Sequence, residues 1–170
     1  MSELYIKPAQ DYIKQLCTEH VDVLHDDDTN VAFIRLYTAQ DLAAIRNNAC
    51  NFFVVVDNFI GRVKGSYEEN KLRQELTLLF LKKVSKTPGD PFGAIEDAQE
   101  KALEVMFDFY ERMKYDYETD DCGPLKYLDS TQMVFEPVPG PVEEEHYGWL
   151  MTIPFDVKLP AYDAAKWNSA

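Results

Sequence analysis

Tyr147-Gly148-Trp149-Leu150-Met151-Thr152-Ile153-Pro154-Phe155-Asp156-Val157-Lys158-Leu159 is the stretch that decides the fold. Every odd position in it is apolar, and the even positions run Gly, Leu, Thr, Pro, Asp, Lys. A period of two sustained over 147–159 predicts an extended strand with one face buried and one face wet. At about 3.3 Å per residue such a strand spans roughly 40 Å, more than most strands of small domains. Pro154 brings no N–H to a ladder, so the strand bends there or borders an edge. A strand this long overruns the body of a small domain, which points to assembly rather than to catalysis.

Upstream, 125–136 reads as the preceding strand, with Tyr127, Thr131, Met133 and Phe135 on one side. Pro137, Pro139, Gly140 and Pro141, then Glu143, Glu144 and Glu145, make a stiff acidic connection between the two. Asp90 is a natural N-cap and Pro91 a natural first residue for a helix running to about Tyr115. Ile95, Ala98, Ala102, Met106, Phe109 and Met113 form its apolar stripe, widened by Leu103, Phe107 and Tyr110, so it covers a sheet face. Before it, 52–64 and 71–83 read as an antiparallel hairpin. Leu72, Leu76, Leu78 and Phe80 share one face, and Arg73, Glu75, Thr77 and Lys83 the wet one.

Tyr5, Ala9, Tyr12, Ile13, Leu16, Cys17 and His20 fall on one helical face, with Pro8 in the first turn. A short strand over 31–37 follows, and Thr38 with Asp41 forms a capping-box pattern for a brief helix to Arg46. This order predicts a single α+β domain over 1–170. Its sheet is mostly antiparallel, covered by one long helix and an N-terminal helix. No internal repeat is visible.

At 170 residues the chain is long enough to bury a core, and 46% hydrophobic with 13% aromatic residues is a globular composition. The net charge of −13 argues against specific nucleic-acid binding, which needs a basic surface. Cys17, Cys50 and Cys122 form no disulfide framework. The chain opens without a signal-peptide pattern, and no run is apolar enough for a membrane span. The expectation is synthesis and folding in a reducing cytoplasm, with no membrane partner.

Chemistry-bearing motifs are sparse. Cys17, His20, His25 and the aspartates after it could be drawn as a metal site, but no paired Cys/His knuckle is present. They read instead as a half-buried helix face and a solvated acidic loop. His146 after Glu143, Glu144 and Glu145 resembles part of a carboxylate–imidazole cluster, but reads as exposed charge between prolines. Cys50 reads as a small core residue. No phosphate loop, dinucleotide fingerprint or nucleophile elbow occurs, so no catalytic residue, cofactor or metal is expected. Trp149 reads first as core and second as part of an aromatic face, with Tyr147 and Met151, against a neighbouring subunit. Tyr162 and Trp167 in the tail 161–170 have no purpose in a free polar tail and suggest docking on a partner.

The hairpin ending Arg73-Gln74-Glu75-Leu76-Thr77-Leu78-Leu79-Phe80, the long helix from Phe92, and the last strand pair together resemble the tail-terminator and tail-completion proteins of tailed bacteriophages. That last pair reads Leu128-Asp129-Ser130-Thr131-Gln132-Met133-Val134-Phe135, then Tyr147-Gly148-Trp149-Leu150-Met151 onward. The resemblance implies a virion protein made in the host cytoplasm. It would form a homo-oligomeric ring, a hexamer or higher, at the neck or the head-proximal end of the tail. Its partners would be copies of itself and other neck or tail proteins. A channel lined by Asp26, Asp27 and Asp28, by the acidic stretch ending at Asp120 and Asp121, or by Glu143, Glu144 and Glu145 would repel phosphates and let DNA slide. Two rival classes stand beside it. One is a DNA-mimic inhibitor, against which stand 17 basic residues among 30 acidic ones. The other is a cytosolic enzyme with a pocket at His146.

Overall fold

The computed structural model describes residues 6–38, 41, 43, 45, 50–57, 60–64, 71–84, 90–119, 123, 125–143 and 145–158. Helix α1 covers Ile6–Glu19 and α2 covers Pro91–Thr119. The strands are β1 Phe33–Arg35, β2 Phe52–Val56, β3 Ile60–Lys64, β4 Lys71–Lys83, β5 Val134–Pro137 and β6 His146–Lys158, with a 3-10 turn at Ser130–Gln132. They form one mixed sheet in the order β1-β2-β4-β6-β5, with β3 also paired to β4. Only the β1–β2 pair is parallel. The α+β class and the mostly antiparallel sheet are as the sequence predicts.

β4 and β6 are the spine. Each has 13 residues, and they pair without interruption from Lys71↔Lys158 to Lys83↔His146. The odd residues Met151, Ile153, Phe155 and Val157 of β6 are buried beneath the helices, with Leu76, Leu78 and Phe80 of β4. Ala9, Ile13, Leu16 and Cys17 of α1 join Ala102, Met106, Phe109 and Met113 of α2 to close this core. Phe109 packs edge-on against Phe80. Each large side chain taken fully out of water here contributes about 2 kcal/mol. Asp90 caps α2 as expected, accepting the Gly93 N–H at 2.9 Å. Pro154 lies inside β6 opposite Glu75, at the height where β5 has ended, since Val134 pairs with Thr152. Its carbonyl takes the Asp129 N–H, on the side where a ladder partner is otherwise absent, so the missing donor costs nothing.

Three expectations need correction. First, 52–64 is two strands: the register advances by one residue between Val56↔Leu78 and Ile60↔Glu75. Because β6 occupies one edge of β4 along its whole length, β3 lies on the same edge as β2. Second, 125–136 is mostly irregular, and only Val134–Pro137 is strand. Asp129 turns the chain instead: the N–H of Gln132 returns to its carbonyl, and its carboxylate accepts from Thr131 and Arg73. Third, the second face of the sheet is not simply wet. Ile34, Ile45, Cys50, Phe53, Val55, Leu81 and Val138 form a smaller core there. Asp41, Ala43 and Ile45, within the brief helix expected to Arg46, are helical. The Asp41 carboxylate receives the Thr38 N–H at 2.7 Å, as a capping box requires.

Candidate functional site

At the end of the sheet where β4 begins and β6 ends, β3 joins them as a three-stranded arm, in which Phe155 and Val157 still belong to the main core. The register sets its faces, because residues directly opposite one another share a face. One face carries three rows: Ile60–Glu75–Pro154, Arg62–Arg73–Asp156 and Lys64–Lys71–Lys158. The other carries Gly61–Gln74–Phe155 and Val63–Leu72–Val157. All five residues of β3 are exposed, with Ile60 at 52% and Val63 at 67%. A strand exposed at every position on both faces contributes little to its own domain's core. The lysine row sets like charges abreast, which weakens the arm rather than strengthening it.

Arg73 anchors the arm to the body. Its guanidinium is 6% exposed and is read on three sides. Nε donates to Asp156 Oδ1 at 2.9 Å, Nη1 to Gln132 Oε1, and Nη2 to Asp129 Oδ2. Thr131 Oγ1 donates to the other Asp129 oxygen at 2.7 Å. The Thr131 hydroxyl, with the Arg73 charge beside it, holds the Asp129 carboxyl below its usual range against the opposing effect of burial. The node ties the 3-10 turn to β4 and β6.

The residues expected at a subunit interface separate. Met151 is fully buried in this chain's own core and is removed from any surface. Tyr147 and Trp149 are half-buried. Trp149 packs against the main core with its Nε1 buried and without a hydrogen-bond partner. Tyr162 and Trp167 lie outside the described residues. Sequence reasoning missed Ile60, Arg62, Val63 and Lys64. The signal was there in the shift from the uniformly apolar Phe52–Val56 to the mixed Ile60–Lys64.

The acidic loops do not converge. The loop before β1 and the turn before β6 both stand at the end of the sheet where β2 and β6 begin, since Phe52 pairs with Lys82 and Lys82 with Tyr147. The stretch after Asp116 leads toward Leu128, which bridges Phe155 near the other end. Asp26 accepts the N–H groups of Asp28 and Thr29 and so folds its own turn. These bonds, the Thr29 amide foremost, lower its pKa. Asp27 accepts from Lys14 and lies 3.1 Å from His25 Nε2, and the lysine hydrogen bond leads in lowering its pKa. Asp28 is exposed. Glu143 adopts a φ of 48°, and Glu145 lies 3.6 Å from Lys83. Asp120, Asp121 and Glu144 fall outside the described residues.

Two histidines are placed differently from expectation. His25 is buried, not solvated: its Nδ1 accepts the Phe33 N–H, so Nε2 carries the proton toward Asp27. His146 is 2% exposed, edge-on to Phe53, with neither ring nitrogen hydrogen-bonded. Burial pushes its pKa below the ordinary histidine value, so it is a neutral core residue rather than exposed charge. His20 accepts the Asp22 N–H at Nδ1 and faces Asp108 through Nε2, which leaves no nitrogen free to act as a base.

A cleft of about 400 Å³ beside α1 is walled by Asp11, Tyr12, Gln15 and Asp116. Asp116 accepts from Tyr12 and Arg112, Asp11 from Arg35, and Gln15 donates to Glu19. Each polar group there is already paired, and no nucleophile–base pair results. Cys17 and Cys50 are buried; the Cys50 thiol donates to Asn30 Oδ1 at 2.7 Å, and burial pushes the Cys17 pKa far up. Among the described residues no group of His, Cys, Asp and Glu is placed to hold a metal ion, and no helix is long and apolar enough to cross a membrane. No protein-family model matches the chain, and no curated protein or solved structure matches it either.

Proposed function

We propose that this chain is a structural virion protein of a tailed bacteriophage. It assembles with copies of itself into a ring around the DNA channel, at the head–tail junction or the head-proximal end of the tail. The resemblance of its hairpin, long helix and closing strand pair supplies the class, and one observation supports it most. β3 is exposed at every position, although it pairs with an end of β4 whose partner strand β6 still buries Phe155 and Val157 in the core. A strand exposed at every position adds little to a subunit that acts alone, whereas a subunit that assembles gains a surface to bury. The fully buried Met151 passes the interface role from the inner half of β6 to this arm.

The acidic ends fit the same reading. Carboxylates left exposed beside a DNA channel repel phosphates, so the duplex passes without binding. Neighbouring neck and tail proteins are the remaining partners, and the reading requires no cofactor. The test is the mass of the purified full chain over a range of concentrations, with electron micrographs of any large species. Closed rings of about six or more copies are the expected result. A protein that stays monomeric throughout, and that binds no copy of itself when concentrated, overturns the reading.

A further inference from the structure

We infer that the arm of one copy docks on the α1–β1 loop of the next, so that copies join head to tail through two different surfaces. This rests on the ring reading above and names the contact that would build it. Two exposed surfaces of opposite charge, each carrying an exposed aliphatic side chain, lie at opposite ends of the sheet. On the arm, Ile60 shares its face with Arg62 and Lys64, Lys71 and Lys158 complete the lysine row there, and Val63 is exposed on the other face. In the loop, Val21 is 77% and Leu24 57% exposed. Residues 20–30 hold Asp22, Asp26, Asp27 and Asp28 and no Lys or Arg. On the face of the lysine row Arg62, Lys64, Lys71 and Lys158 stand against Glu75, while Arg73 is buried and paired with Asp129 and Asp156.

The two surfaces cannot meet within one chain. Ala32, which follows the loop, accepts the N–H of Val54, and Val54 pairs with Phe80. The lysine row crosses β4 at Lys71, nine residues further along, a separation of roughly 30 Å. Arm-on-arm pairing about a two-fold axis sets Arg62, Lys64 and Lys71 against their own copies, and like charges face to face repel. The anionic loop with its own aliphatic pair is the complement the same chain supplies. A contact between two different patches closes into a ring when its rotation allows, and otherwise runs into a filament.

Two variants of the full chain test this. One carries Lys64→Glu, Lys71→Glu and Lys158→Glu on the arm; the other carries Val21→Lys and Asp28→Lys on the loop. All five are exposed positions. Each variant alone is expected to be monomeric, with its self-association weakened by about 100-fold or more. Mixed one to one, they are expected to form a dimer that grows no further, because the loop variant's intact arm meets the arm variant's intact loop and no second good contact remains. Melting curves confirm that each variant is folded. Should one unfold, the wild type alone still decides, since its assembly must weaken as salt is raised. Variants that assemble like the wild type, or a salt-insensitive wild type, overturn the contact and leave the ring reading standing. A mixture that stays monomeric overturns the head-to-tail arrangement. A wild type that is monomeric at every concentration overturns both.

Discussion

Residues 76–83 of β4 with 146–153 of β6, and residues 71–75 with 154–158, belong to the same two strands in one unbroken register. The first set lies between two apolar clusters, with Phe80, Leu81, Met151 and Ile153 fully buried. The second set is bordered by β3, exposed throughout, and its buried polar centre is Arg73. Hydrogen-bonded pairing alone therefore does not make a core. The helix-side core continues through Phe155 and Val157, so the halves differ on the other face, where Ile45, Phe53 and Val138 lie over the inner half and the Arg73 node over the outer.

Two glycines give the sharpest way to break that comparison. A Cβ on Gly148, in the inner half, would stand 1.7 Å from the Phe80 carbonyl oxygen, where only backbone movement could make room. Gly148→Ala is expected to cost about 3 kcal/mol or to prevent folding, read by urea denaturation. On Gly61, in the arm, a Cβ meets nothing nearer than Leu72 Cδ1 at 3.5 Å. Gly61→Ala is expected to change stability by less than about 0.5 kcal/mol. Equal effects at the two positions would remove the distinction.

Met151→Ala opens a cavity in the main core and is expected to cost about 3 kcal/mol. Val63→Ala, which removes an exposed methyl pair, is expected to leave the melting temperature of the monomer within about one or two degrees. Arg73→Met comes next. It leaves Asp129 and Asp156 beside an apolar side chain, and both keep some contact with water, so the expected loss is about 2 kcal/mol at neutral pH. Because the Asp129 pKa is lowered on folding, its contribution is fully present above the unfolded carboxylate value and is lost as pH falls through the folded one. Arg73→Met should flatten that acid limb of the stability curve in part, since the Thr131 hydrogen bond, the larger cause, remains.

His146 gives an effect that is confined to mildly acid pH. Its folded pKa lies below 6.5, so between the two values the unfolded chain binds more protons, and stability falls as pH drops below about 6.5. The slope is at most about 1.4 kcal/mol per pH unit for one proton. Above that pH the group adds no pH dependence, and His146→Leu should remove the loss below it. Denaturant midpoints measured from pH 7 down to pH 5 check both statements.

The main core was legible because β6 alternates cleanly and α2 carries an uninterrupted apolar stripe. Met151, Ile153, Phe155 and Phe109 fall where those periods put them. The second core was not legible from β6, whose even positions Gly148, Thr152 and Asp156 look wet. The cue lay in Phe52–Val56, five apolar residues in a row, which marks a strand covered on both faces. His25 and His146 sit beside acidic runs, and charge in the sequence masked their burial. The strand expected across 125–136 failed for a non-local reason, since Arg73, distant in sequence, holds Asp129 in a turn. Of the candidate interface, Tyr162 and Trp167 lie outside the described residues, and the arm itself was hidden inside what reads as one long strand.

Hydrogen exchange on the full chain, at a dilution where it is monomeric and at a concentration where it assembles, tests the division of these strands most directly. The account predicts that amides of residues 76–81 and 149–153 are protected in both conditions. Amides of Ile60–Lys64 should exchange fast when dilute and become protected on assembly. Amides of β3 that exchange equally fast in the assembled protein, or that are as protected as the inner half when monomeric, would contradict it.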